Sequence, residues 1–341
     1  MRKLLRTLYV TNPDLYLGRD GLTVVAWLND KKVAQFPIHN FEEIVCFNYT
    51  GVSSALLQLC AEKEVSITLL SRTGKFRGKF YGPIKGNVLL RKEHYRISED
   101  KDLALNYAKV FILGKTYNSA RVLDRFIRDH KDASDRVKDV KQKLSESRVR
   151  IMALNNYEEL LGVEGDLSRD YFSVLNELIR RNKDYFQFNT RTRRPPLDPV
   201  NAMLSLTYSF IRVKMESALE TVGLDPYVGF YHTDRPGRTG LALDMMEELR
   251  PYMGDRFVLS LINNGEVDKK DFMTKENHAV LFTEEGFKKF INLWNNRMQE
   301  TIKHPFLEET INVGLIPYVQ AMLLARCLRK DLEIYPPFFM N

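Results

Sequence analysis

From residue 7 to about residue 92 the chain is built of short runs in which β-branched and aromatic residues recur at strand spacing. The runs "LTVVAWL", "KVAQFPI", "EEIVCFN" and "VSITLLS" read as strands, with "LND" and "RTGK" as the turns between them. One stretch breaks the pattern. In "VSSALLQLCAEKE" the residues Leu56, Leu57, Cys60 and Ala61 repeat at helical spacing between two strand runs, which predicts a single embedded helix.

After about residue 98 the period becomes helical and stays so through "DLALNYAKVFILGKTYNSARVLDRFIRDH", "ASDRVKDVKQKLSESRVRIMALN" and "DPVNAMLSLTYSFIRVKMESALETVG". The last of these carries its own punctuation. Asp198 suits the cap, Pro199 the first turn, where a missing N–H costs little, and Gly223 the end. The expected fold class is α+β: an N-terminal β-rich domain over residues 1–95 with one embedded helix, then a larger all-α domain over 96–341.

A length of 341 residues with 44% apolar content gives room for two cored domains. The 51 Lys+Arg against 44 Asp+Glu leave a net charge of +7, a mild bias toward polyanionic partners. Cys46, Cys60 and Cys327 form neither a disulfide framework nor a zinc pattern, which fits a reducing cytoplasm. The basic start is interrupted at Asn12, Pro13 and Asp14, and no run reaches the ~18 uncharged apolar residues of a membrane span, so neither a signal peptide nor a span is expected.

The chemistry-bearing residues cluster in "GFYHTDRPGRTGLALDMMEELRP". On a helical wheel Leu241, Ala242, Met245, Met246 and Leu249 make one apolar stripe, and Asp244, Glu247 and Glu248 share the other side. Taken alone, this predicts a solvated acidic face, and His232 before it a hydrogen-bonded turn residue. Together, an imidazole and two or three carboxylates suit Mn²⁺ or Mg²⁺ better than zinc. A further ligand has to come from elsewhere, and Glu164 in "EELLGVEGDLSRDYF", beside Gly165, is a candidate. Arginines follow in "RTRR" at 191–194 and at Arg235, Arg238 and Arg250, which is compatible with phosphate contacts. From Val65 to Lys92 there is no acid, but Arg72, Lys75, Arg77, Lys79, Lys85, Arg91 and Lys92 alternate with Phe76, Phe80 and Tyr81, a polyanion-binding stripe. P-loop, dinucleotide-fold and serine-hydrolase motifs are absent.

In order along the chain, "LLGVEG", Arg169 with Tyr171 and Phe172, "RPPLDPVNAMLSLTYS", "GLDPYVGFYH" and "RPGRTGLALDMMEELRP" closely resemble the CRISPR-associated spacer-acquisition integrase family, CRISPR-associated protein one. The likeness spans almost the whole chain. "RRPP" and "RPGRTGLALD" look most like the version found with type I systems, with subtype I-C as the candidate. The resemblance implies a metal-dependent DNA integrase and endonuclease that joins 3′-hydroxyl ends of short foreign DNA into a CRISPR repeat by transesterification. It implies Glu164, His232 and Glu247 as catalytic metal ligands for Mg²⁺ or Mn²⁺, with Asp244 as a nearby helper. Glu248 competes with Glu247, and the family's spacing of an acid three residues after the aspartate selects Glu247. It also implies a homodimer, with self-contact through the β domain, and a dimer of the second CRISPR-associated protein bridging two such homodimers on double-stranded DNA. From charge and nearness in sequence, Arg238, Arg193, Arg194, Arg72, Arg77 and Lys79 are the expected DNA contacts. The alternatives are a structure-selective, metal-dependent repair nuclease and a non-catalytic DNA-binding scaffold.

Overall fold

The computed structural model describes residues 6–10, 12, 14–47, 51–70, 76–83 and 88–340. Two compact units divide the chain, Met1–Lys85 and Gly86–Asn341.

In the first unit, β1 (Arg6–Val10), β5 (Phe41–Phe47) and β7 (Ser66–Leu70) pair in parallel and β8 (Phe76–Phe80) adds antiparallel to β7. A second sheet runs β4 (Lys31–Pro37), β3 (Thr23–Leu28), β2 (Tyr16–Asp20) and β6 (Gly51–Val52). The four apolar runs read from the sequence are β3, β4, β5 and β7. The embedded helix is α1 (Ser54–Glu62), capped by Ser53, whose side chain accepts from the Leu56 amide. Its fully buried stripe is Leu56, Leu59 and Cys60, while Leu57 and Ala61 sit half-buried at its edge. These close a core with Leu17, Ile38, Ile44 and Ile67. Arg77 is exposed on β8 and Lys79, two residues on and so on the same face, is half-buried; Arg72 and the "RTGK" turn lie outside the described residues.

The second unit is mainly helical, and its sequence of elements explains where its polar residues go. Helices α2 (Val88–Glu99), α3 (Lys101–Asp129), α4 (Asp135–Ala153) and α5 (Tyr157–Val174) lead to α6 (Pro199–Val222). There Asp198 accepts from the Asn201 amide at 2.7 Å and Gly223 ends the helix at φ 85°, as its sequence signals predict. Then come α7 (Gly240–Met246), a π-helical turn (Arg250–Asp255), α8 (Arg256–Asn263), α9 (Glu284–Gln299) and α10 (Ile316–Leu328). Two small antiparallel ladders, Phe272–Thr274 with Val280–Phe282 and Thr301–Lys303 with Thr310–Asn312, sit among these helices. They are too short to leave a period in the sequence. Among the described residues no helix is long and apolar enough to cross a membrane.

Candidate metal and phosphate site

The acids behind His232 are not a wet face. Asp244 and Glu248 are fully buried and Glu247 is 3% exposed. The helical wheel fails here because residues 240–249 are buried on nearly every side, so the face opposite the apolar stripe meets packed neighbours instead of water. The three carboxylates therefore leave the backbone toward three different neighbourhoods.

Asp244 points back under the preceding loop. Its Oδ2 accepts from the amides of Phe230 (2.6 Å) and Tyr231 (2.8 Å), and its Oδ1 accepts from the His232 amide (2.8 Å) and pairs with His232 Nδ1 (2.6 Å). Gly229 makes the tight loop possible, since a Cβ there would stand 2.8 Å from the His232 carbonyl and 2.9 Å from Asp244 Oδ2. The loop is also held by two other elements: the Tyr157 hydroxyl on α5 donates to the Tyr231 carbonyl, and His94 Nε2 on α2 bonds the Val228 carbonyl at 2.9 Å. Four donors fill the four lone-pair positions of the Asp244 carboxylate, so it orients His232 and has none to offer an ion. With Nδ1 engaged by the carboxylate, the tautomer assigned from this bond carries its proton on Nδ1 and leaves the Nε2 lone pair outward.

Glu247 points toward α3 and α5. Lys115, from the middle of α3, bonds Glu164 Oε1 and lies 2.9 Å from Glu247 Oε2. Ser168, one turn after Glu164, donates to the same Glu164 oxygen at 2.8 Å. On the other side of Glu247, Arg250 Nη2 is 3.1 Å from Oε1. Glu164 and Glu247, far apart in sequence, thus close on one ammonium group. Burial works against charge on Glu247, but the neighbouring cations Arg250 and Lys115 outweigh it and hold its carboxyl down at about 2. The partner of buried Glu247 Oε2 is the Lys115 ammonium. Two carboxylates that close on one charge and an imidazole whose Nδ1 is already engaged are donor types that a hard divalent ion takes, so the residues fit one. As placed, no three His, Cys, Asp or Glu side chains among the described residues close around a common point, and Lys115 pairs with both glutamates.

Glu248 points the opposite way. Its Oε1 accepts from the Tyr335 hydroxyl (2.6 Å) and Gln320 Nε2 (2.9 Å), and its Oε2 accepts from the Phe338 amide (2.9 Å). Asn118 bonds both the Glu248 and the Phe338 carbonyls at 2.6 and 2.7 Å and takes the Met340 amide at 2.8 Å. Burial raises Glu248 to about 7 despite these donors. It is a fastener for the C-terminal segment.

A cleft of about 400 Å³ opens beside Glu164 and Lys115, lined among others by Arg169, Arg191, Arg193, Tyr208 and Arg250. Arg191 and Arg250 lie over the Tyr208 ring at 5.3 and 5.2 Å, and the Tyr208 hydroxyl donates to Asp255. Gly254 allows this ring to sit against the π-helix, since a Cβ there would come within 2.7 Å of it. Of the expected DNA contacts, Arg193 lines the cleft, exposed Arg194 does not, and Arg238 is half-buried in the loop after His232. Sequence reasoning missed Lys115, Tyr208 and Asp255 and gave Arg191 no separate role. One signal pointed to Lys115: with Asn118 it interrupts the apolar helical stripe of Phe111 and Val122.

Burial pushes Asp255 up to about 6, against the hydrogen bond from Tyr208 that favours its charged form. A carboxyl raised in the folded state binds its proton more tightly there than in the unfolded chain. The stability it contributes is present below its ordinary value near 4 and is lost as pH rises through about 6. Asp255→Asn is therefore expected to show a smaller fall in Tm between pH 5 and pH 7 than the parent, measured by thermal melts.

The chain matches the family model described as CRISPR associated protein Cas1 over residues 8–296. A relative from Chlorobaculum tepidum, described as CRISPR-associated endonuclease Cas1 1, is 42% identical over 340 residues and is covered, like this chain, to 99%. Among solved structures, a Cas6-RT-Cas1–Cas2 complex aligns with TM-score 0.84 at 19% identity over 100% of this chain and 37% of that one. A casposase bound to its integration product aligns with TM-score 0.81 at 24% identity, over 98% of this chain and 94% of that one.

Proposed function

The chain belongs to the Cas1 family of CRISPR-associated proteins, the endonuclease and integrase of spacer acquisition, and on that premise we propose that Glu164, His232 and Glu247 hold a Mg²⁺ or Mn²⁺ ion at which DNA strands are joined. The observation that carries this reading is the convergence of Glu164 and Glu247 on a single buried positive charge, Lys115. When bound, the ion supplies Lewis-acid polarisation of phosphate oxygens and a lowered pKa for the attacking hydroxyl.

The chain's own residues do the rest. Asp244 fixes the His232 ring and its tautomer, Arg250 keeps Glu247 ionised, and Arg193 offers its guanidinium fork to phosphates in the cleft, while Arg191, whose Nη atoms bond Thr192, Asn201 and Ser205, braces the cleft wall. The 3′-oxygen of a short fragment bonds to a phosphorus of the repeat as the bond from that phosphorus to its 3′-oxygen breaks. One phosphodiester replaces another, so no nucleotide triphosphate is consumed.

Arg77 and Lys79 on β8 are proposed as backbone contacts to DNA. The first unit is proposed to carry the self-contact of a homodimer, a reading supported by the exposed Tyr16, Trp27, Val33 and Phe36 of its second sheet. Likeness to a chain of a Cas1–Cas2 complex supports the further proposal of a bridging dimer of the second CRISPR-associated protein. The "RRPP" and "RPGRTGLALD" blocks support a type I, subtype I-C origin, and three buried free thiols accord with a prokaryotic cytoplasm.

A labelled duplex with free 3′-hydroxyl ends, mixed with a repeat-bearing plasmid and Mn²⁺, tests the reaction: covalent joining is expected, and nicking without joining would move the reading to a structure-selective nuclease. Asp244→Ala frees the His232 ring and strips the loop of four acceptor contacts. It is expected to weaken Mn²⁺ binding by roughly 10–100-fold, as loss of a ligand-orienting partner usually does, measured by calorimetric titration.

A further inference from the structure

We propose that Lys115 is a resident counter-ion that makes ion loading of this site conditional on the arrival of a phosphate. The inference rests on reading Glu164 and Glu247 as ligands, and it concerns what occupies them beforehand.

The charges around the pair balance. Glu164 and Glu247 contribute two negatives, Lys115 and Arg250 two positives, with side-chain exposures of 18%, 4%, 15% and 16%. Adding a divalent ion leaves a surplus of two positive charges in a mostly buried pocket, an arrangement that is costly unless anions enter or a cation leaves. The two resident cations differ in their freedom. Arg250 is wedged, its guanidinium over the Tyr208 ring and its Nε buried without a hydrogen bond. Lys115 is a point charge on a flexible stem, and it lines the cleft into which Arg191 and Arg193 also face. When the ion takes the two glutamates, the Lys115 ammonium turns into this cleft and needs an anion there. A DNA phosphate meets that need, and lets lysine and ion coexist. Ion and phosphate then favour each other by the same factor in either order of addition, with Lys115 as the group that couples them. A metal-free protein meanwhile keeps its two carboxylates in register instead of letting them repel.

The test measures Mn²⁺ binding to the full chain by the paramagnetic resonance signal of free Mn²⁺, with and without a short DNA duplex bearing a single-stranded 3′ end. The parent protein is expected to bind Mn²⁺ roughly tenfold tighter with DNA present. Lys115→Gln is expected to bind Mn²⁺ tighter than the parent without DNA, by a similar factor, and to lose most of the gain from DNA. Equal parental affinities with and without DNA would overturn the proposal whether or not any variant folds. So would a Lys115→Gln protein with a cooperative melt that binds Mn²⁺ no tighter than the parent. Glu164→Gln separates the two readings: if it binds Mn²⁺ like the parent, the ligand assignment is wrong, whereas if it loses Mn²⁺ and the Lys115 effects are absent, only the coupling is wrong.

Discussion

Glu247→Ala is expected to abolish strand joining, with a loss on the order of 10³-fold or more, while the protein still folds. The carboxylate it removes faces Lys115, Arg250 and His232 and accepts no backbone amide, so the truncation takes away ion-binding charge and little else that holds the unit together. Two cations, Lys115 and Arg250, lose a partner. Lys115 retains Glu164, and Arg250 retains the face of Tyr208, which limits the structural cost. The expected profile is a melt that stays cooperative but shifts below the parent's, because one cation is left in excess in a mostly buried pocket, and joining indistinguishable from a reaction without protein over any practical range of Mn²⁺.

Its neighbour is expected to behave in the opposite sense. Glu248→Ala leaves the Tyr335 hydroxyl, the Gln320 amide and the Phe338 backbone amide without their acceptor in a fully buried place, and opens a gap beside Gly114. Unsatisfied buried donors of this kind cost about 1–3 kcal/mol each, and partial relaxation of the C-terminal segment brings the sum to roughly 3–5 kcal/mol. For a unit of this size that corresponds to a fall in Tm of about 10 °C. Metal binding per folded molecule is expected to persist. A pair of single alanine substitutions, read by thermal melts and by the joining assay, thus separates the two adjacent acids: one loses activity and keeps its fold, the other does the reverse.

The contrast shows where the sequence was legible. Strand spacing marked the strands of the first unit, and Asp198 and Gly223 act at helix ends as their types dictate. The family likeness named Glu164, His232 and Glu247, and the geometry brings the two glutamates to one charge. What periodicity hid was the direction of the acids. Asp244, Glu247 and Glu248 lie in a segment buried on nearly every side, and each meets a different packed neighbour. The wheel therefore merged a loop anchor, a proposed ion ligand and a tail fastener into one solvated patch. Lys115 and the Tyr208–Asp255 pair were hidden for a different reason. Their roles come from long-range packing of α3, α6 and the π-helix, which leaves no local spacing to read. A charged residue on an apolar helical stripe is the kind of local inconsistency that marks a functional position.

If Glu164, His232 and Glu247 surround one divalent ion, as proposed, an anomalous difference map from crystals soaked in Mn²⁺ shows it. One strong peak is expected within ligand distance of Glu164, Glu247 Oε2 and His232 Nε2, with Lys115 turned away from the two carboxylates. A peak bound by Glu248 or Asp244 instead, or none near Glu164 at saturating Mn²⁺, would contradict it.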